Sequence, residues 1–322
     1  MSSFKKKINF YGLIHYKKNE NNNLNFNSSS DNEKISIYLK NAALISQQLK
    51  KFDINFILIT NNKKYINSLL KKMDIKITLL EIKFKTFVNK NTHFYSCHFR
   101  VDIFRYFSKL KNSYSILIDL DTVLINKISK KQILKLYDYG LVNNITDNVI
   151  PAYGEKKILK NLKILDPKIE KIFWYGGDFF GGNQNFYKIL YSISKSYQKK
   201  FNNNLKYLKN QTDELFISLS IIKIKKLNLY KIKNANSNKF FSRYWSSSTL
   251  HKQKHFKYYF NYKLLHLPAD KIFIANLFKK IDNDLNFKKI YFEYLNSKKF
   301  LITKFLKKNT PNIFKKGIKK IL

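Results

Sequence analysis

Apolar and polar positions along this chain follow two rhythms. Short, largely apolar runs stand at 8–14, at 55–60 (NFILIT) and at 116–118, the last continuous and rich in β-branched residues. Such runs read as strands covered on both faces. Between them, 33–51 and 63–73 place apolar residues at helical spacing, with Ser30 or Asp31 available to cap the first of these helices. Residues 75–84 predict a third strand, and 96–110 a helix that feeds the run 113–126, SYSILIDLDTVLIN. Strands alternating with helices predict a right-handed, largely parallel α/β sheet. Further on, 130–137, 185–199 and 212–222 read as helices, the last capped by Thr212, and 227–232 and 259–267 as strands. Residues 19–30 and 234–248 read as polar loops, and 143–172 shows neither rhythm clearly.

The run 113–126 changes the picture from fold to chemistry. Its apolar residues are interrupted by Asp119-Leu120-Asp121 and resume at Val123. On one continuous strand the two carboxylates share a side and converge. Burying such a pair is costly unless a cation faces it, and carboxylate oxygens suit Mg²⁺ or Mn²⁺. The plainer alternative is a strand that runs out into a solvated acidic loop.

Composition adds less than its extremes suggest. The 322 residues carry 62 basic and 21 acidic side chains, a net charge of +41, with 44% hydrophobic and 16% aromatic residues. That excludes a disordered chain and favours anionic partners. However, Lys, Asn, Ile, Phe and Tyr are over-used together, a pattern of coding bias that scatters lysine over every solvated face. The charge therefore identifies no partner. The one cysteine, Cys97, allows no internal disulfide and fits a reducing compartment as a packed residue. No run approaches the roughly 20 apolar residues of a membrane span, so a cytoplasmic protein is expected. The basic segment 286–322 has apolar and lysine faces that suit either an anionic membrane surface or a docking helix.

Ahead of the acidic strand lies His98-Phe99-Arg100-Val101-Asp102-Ile103-Phe104-Arg105, in which Asp102 and Arg105 share a helix face. An aspartate–arginine helix leading into Asp-x-Asp resembles the GT-A glycosyltransferases. The segment 174–182, WYGGDFFGG, holds four of the chain's eight glycines. It is similar to a Gly-Gly stretch of the family 6, blood-group-type galactosyl and N-acetylgalactosaminyl transferases. In that family a His-Asp-Glu turn follows, and Thr212-Asp213-Glu214 stands in its place here. His266 and Lys271 look like a late metal ligand and a diphosphate contact of family 8 enzymes.

The resemblance implies a three-layer α/β/α GT-A fold with a mostly parallel mixed sheet over 1–285, with a Rossmann-like nucleotide-binding half at 1–126 and an acceptor half at 127–285. It implies Mn²⁺ or Mg²⁺ on Asp119, Asp121 and His266, and Glu214 and Asp178 as catalytic groups. A nucleotide sugar is then expected against Ile14, His15, Tyr16, Arg100, Asp102, Arg105, Asp119, Leu120, Asp121, Gly176, Gly177, Asp213 and Lys271. The activity implied is a retaining transfer of a hexose or N-acetylhexosamine to a glycan or lipid-linked acceptor, with no nucleic acid involved. Two alternatives stand beside it. Asp119 and Asp121 also fit the first motif of haloacid-dehalogenase-type phosphatases, although three strand–helix units precede them here. A non-enzymatic basic nucleic-acid-binding protein would use the charge but leaves the acidic and glycine motifs unused.

Overall fold

Two sheets meet at the acidic pair. The computed structural model describes residues 6–16, 31–89, 92, 94–247, 249–278 and 287–297. Strands β1 (Lys7–Ile14), β2 (Asn55–Thr60), β3 (Thr78–Glu81), β4 (Ser113–Ile118), β6 (Gly140–Asn144), β7 (Tyr175–Asn183) and β8 (Ile232–Asn234) form a seven-stranded mixed sheet in the order β3-β2-β1-β4-β7-β6-β8. Its first four strands are parallel, β7 runs antiparallel to both β4 and β6, and β8 is parallel to β6. The chain is thus an α/β protein, and its sheet is mixed and mostly parallel, as expected.

Helices α1 (Asp31–Lys50) and α2 (Lys63–Lys72) belong to the β1–β3 units and pack Leu39, Ala42, Leu49 and Ile66 against Phe10, Phe56 and Leu58. On the other face, α3 (Arg100–Phe107), α6 (Glu155–Leu165), α7 (Gln184–Asn203) and α8 (Asp213–Lys226) bury Phe104, Leu162, Tyr187 and Phe216 with Phe180 of β7. Helix α7 begins where Asn183 accepts from the Phe186 amide at 3.1 Å. Two shorter helices, α4 (Lys130–Leu134), which opens on a Ser129 capping box, and α5 (Thr146–Tyr153), complete this half.

A second sheet of β5 (Thr122–Leu124), β9 (Phe241–Arg243) and β10 (Leu264–His266) has β10 at its centre, antiparallel to β5 and parallel to β9. Gln48 of α1 covers the edge of β5, donating to the Leu124 carbonyl at 3.2 Å and accepting its amide at 2.8 Å. Helices α9 (Lys271–Leu277) and α10 (Phe287–Asn296) close a third core with Tyr262 and Leu265.

Several expectations need correction. The run 113–126 is not one strand: β4 ends at Ile118, and β5 belongs to the other sheet. The strand expected over 227–232 begins only at Ile232, as β8, because α8 runs to Lys226 and Leu227 and Leu229 lie exposed. The stretch 234–248 holds β9 rather than loop alone, and 256–261 is a 3₁₀ turn. The helix expected over 96–110 is a 3₁₀ turn at Tyr95–Phe99 followed by α3. The polar loop 19–30 and the terminal segment 300–322 lie outside the described residues.

Candidate cation site and its buried ion-pair network

The main chain carries Asp119 and Asp121 from one sheet to the other. The Asp119 amide donates to the Asp178 carbonyl at 3.1 Å, which holds the turn on β7. The Leu267 amide donates to the Asp121 carbonyl at 2.9 Å, which holds it on β10. In register, Thr122 of β5 stands opposite His266 of β10, and His266 beside Arg243 of β9. This delivers His266 Nε2 to 3.0 Å from Asp121 Oδ1 and 3.9 Å from Asp119 Oδ2. Lys271, at the first turn of α9, places Nζ 2.7 Å from Asp121 Oδ2.

One ligand atom from each of Asp119, Asp121 and His266 fits within 4.8 Å of the others. Two hard carboxylates and one imidazole form a donor set that Mn²⁺ or Mg²⁺ accepts. Burial pushes the Asp121 carboxyl up, but His266 and Lys271 outweigh it and hold the group well below the usual carboxylate range. Burial alone would lower His266; its two aspartate neighbours raise it instead to about 9. A cation seated here would replace the hydrogen between His266 Nε2 and Asp121.

Around this centre, two arginines are packed into the protein. Arg100 bridges Asp119 Oδ1 at 2.5 Å and Asp213 Oδ2 at 2.6 Å. Burial pushes the Asp213 carboxyl up to about 6 against the pull of Arg100. Arg243 bridges Asp178 Oδ2 at 2.6 Å and Glu214 Oε1 at 2.8 Å. Glu214 also accepts from the Trp174 indole at 2.8 Å and the Gly177 amide at 3.1 Å. The glycine pair makes this possible. A Cβ on Gly177 would stand 2.7 Å from Arg100 Nη1, and one on Gly176 2.7 Å from Arg243 Nη2. Among the described residues, none of the four glycines of β7 has a positive φ, so their role is space and not turn geometry.

A crevice opens over the acidic pair. Its walls include Ile14, His15, Arg100, Asp119, Leu120, Asp121, His266 and Lys271. His15 stacks on Phe99 with ring centres 4.5 Å apart. Cys97 also lines it, half-buried, with its thiol pushed up to about 12 by burial.

Other residues expected at a ligand are placed elsewhere. Asp102 is buried and accepts from the Lys85 and Thr86 amides at 3.0 and 2.8 Å, and Arg105 pairs with it at 3.0 Å. Both lie outside the crevice wall, where Asp102 Oδ2 fixes the chain after β3 and its Oδ1 faces Arg105. Tyr16 stacks on Tyr65, and its backbone amide and carbonyl bond the side-chain amide of Asn61. Gly176, Gly177, Asp213, Glu214 and Asp178 lie behind the wall as part of the ion-pair network. Arg243 went unforeseen because its stretch reads as loop. A signal was present: the chain has only three arginines among 62 basic residues, and two of them are these buried bridges.

No family profile matches the chain. Chaperone SurA of Buchnera aphidicola subsp. Schizaphis graminum is 30% identical over 247 residues, covering 67% of this chain and 55% of that protein. The chain therefore spans about half the length of the curated relative it matches. These comparisons correct the resemblance to glycosyltransferases: the characterised relative is a chaperone, and no transferase profile accompanies it. The sugar-transfer activity and its partners, a nucleotide-sugar donor and a glycan or lipid-linked acceptor, are withdrawn with it.

Proposed function

We propose that the crevice binds a divalent cation together with a phosphorylated small molecule. The observation that carries this is the convergence of Asp119, Asp121 and His266 to within 4.8 Å at the floor of a crevice walled by Arg100 and Lys271. A cation held from the protein side by these three residues keeps its remaining positions for water or phosphate oxygens, which is how Mg²⁺ and Mn²⁺ usually work. Arg100 and Lys271 add positive charge beside those positions. The finer fold reading is a GT-A arrangement. What supports it is the parallel order β3-β2-β1-β4, the antiparallel β7 beside it, and the acidic pair directly after β4. An architecture carries no activity of its own.

Calorimetry tests the site. Mn²⁺ should bind the wild-type chain and bind more tightly with inorganic pyrophosphate present, and Asp119→Asn/Asp121→Asn should lose both. Equal binding by the double variant refutes the assignment.

The relative's name supports a second reading, a chaperone that binds unfolded polypeptide, on the strength of 30% identity over 247 residues. It requires the chain to suppress aggregation of chemically denatured citrate synthase at near-equal concentration. It also requires the double aspartate variant to do so equally well. Aggregation that proceeds unchanged removes this reading.

A further inference from the structure

Asp178 stands in the middle of β7, 1% exposed, behind the crevice wall. Its Oδ2 takes a hydrogen bond from His266 Nδ1 at 2.8 Å and another from Arg243 Nε at 2.6 Å, while Asn143 Nδ2 donates to Oδ1 at 3.3 Å. The Arg243 guanidinium only donates and is always charged, so the carboxylate it faces is an acceptor. The hydrogen between Asp178 and His266 therefore belongs to Nδ1. Nε2 is then the nitrogen turned toward both acids, 3.0 Å from Asp121 and 3.9 Å from Asp119.

We propose that Asp178, clamped by Arg243, is a positioning residue that fixes the ring orientation and tautomer of His266 and so offers Nε2 to the cation. The inference rests on the cation-site reading above. A carboxylate behind a ligating histidine does this in metal sites generally, and its loss commonly costs 10–100-fold in metal affinity. Neutralising Arg243 is not a sufficient account of Asp178. Glu214 already pairs with Arg243 at 2.8 Å, and the oxygen that Asp178 gives Arg243 is the same one that holds His266. Gly176 belongs to the device, because a Cβ there would stand 2.3 Å from Asp178 Oδ1.

The test is Mn²⁺ binding to the full chain by electron paramagnetic resonance, with wild type, Asp178→Asn and Asp121→Asn side by side. An asparagine can present its NH₂ to Nδ1 and favour the opposite tautomer. Asp178→Asn should therefore weaken Mn²⁺ about tenfold or more, and Asp121→Asn should abolish binding. Wild-type affinity in Asp178→Asn, with binding lost in Asp121→Asn, overturns the inference and leaves the cation site standing. Absence of Mn²⁺ binding in the wild type overturns both. Should Asp178→Asn lose its fold by circular dichroism, ¹⁵N spectra of His266 in the Mg²⁺-loaded wild type decide the matter. Nδ1 bearing the hydrogen upholds the inference, and a bare Nδ1 overturns it.

Discussion

At the scale of single residues, the absence of a side chain does as much as its presence. The four glycines of β7 are not equivalent. A Cβ on Gly177 meets Arg100 at 2.7 Å and one on Gly182 meets the Phe186 ring at 2.2 Å, whereas one on Gly181 finds nothing nearer than 3.3 Å. Gly182→Ala is expected to cost about 1–3 kcal/mol, the usual penalty of overpacking a rigid core. Gly177→Ala should cost a similar amount by displacing a buried guanidinium, and Gly181→Ala less than about 1 kcal/mol. Urea unfolding of the three variants would show the order, and equal losses would mean that the strand relaxes instead. The segment was legible as special because half the glycines fall in it. Its reason was not: glycine on paper suggests positive φ, while these glycines make room for arginines distant in the chain.

At the scale of elements, regular units with strong periodicity were legible almost to the residue. The run NFILIT is β2, and the helix expected over 63–73 is α2. What failed was whatever depended on a partner from elsewhere. β9 and β10 are three residues each and exist because they pair with each other, β10 pairing with β5 as well. Capping shows the same limit. Thr212 precedes α8 as a cap should, yet its hydroxyl donates to Asn210 at 2.8 Å and caps nothing. Asn183 caps α7 and also ties down the Tyr137 carbonyl and the Tyr230 hydroxyl. Thr212→Ala should therefore change stability by less than about 0.5 kcal/mol and Asn183→Ala by about 1–2 kcal/mol. Thermal melts would separate them, and the reverse order would contradict the assignment of the caps.

At the scale of the molecule, the net charge is +41, while among the described residues the charges that hold the site together are few and internal. His251 illustrates how they set the response to acid. It stacks on Trp245 with ring centres 4.0 Å apart, and Arg243, Glu214 and Tyr153 face it. Burial lowers its affinity for a proton, and the charge of Arg243 lowers it further against the smaller pull of Glu214. The unfolded chain then binds that proton more readily than the folded one. Stability from this group is complete above pH 6.5 and declines as the pH falls through the lowered value. His251→Phe keeps a ring on Trp245 and removes the titration, so the loss of stability between pH 7 and 5 should be shallower. Parallel curves for the two proteins would exclude His251 as the cause. No helix among the described residues is long and apolar enough to cross a membrane.

The hand-over at Asp119–Asp121 has a mechanical meaning. One carboxylate pair and one imidazole belong to segments far apart in the chain, and they meet where the seven-stranded sheet gives way to the three-stranded one. An ion seated there acts as a rivet: it shortens the loops that the loosened chain must close and stiffens the smaller sheet against peeling away. Amide hydrogens of β5, β9 and β10 should exchange more slowly once Mg²⁺ is added, while those of β2 and β3, at the far edge, keep their rates. Uniform slowing across both sheets would mean that the ion steadies the whole molecule and not this joint. With the proposed ion in place, the seam between the sheets would be where a ligand no larger than one atom switches the chain's resistance to opening.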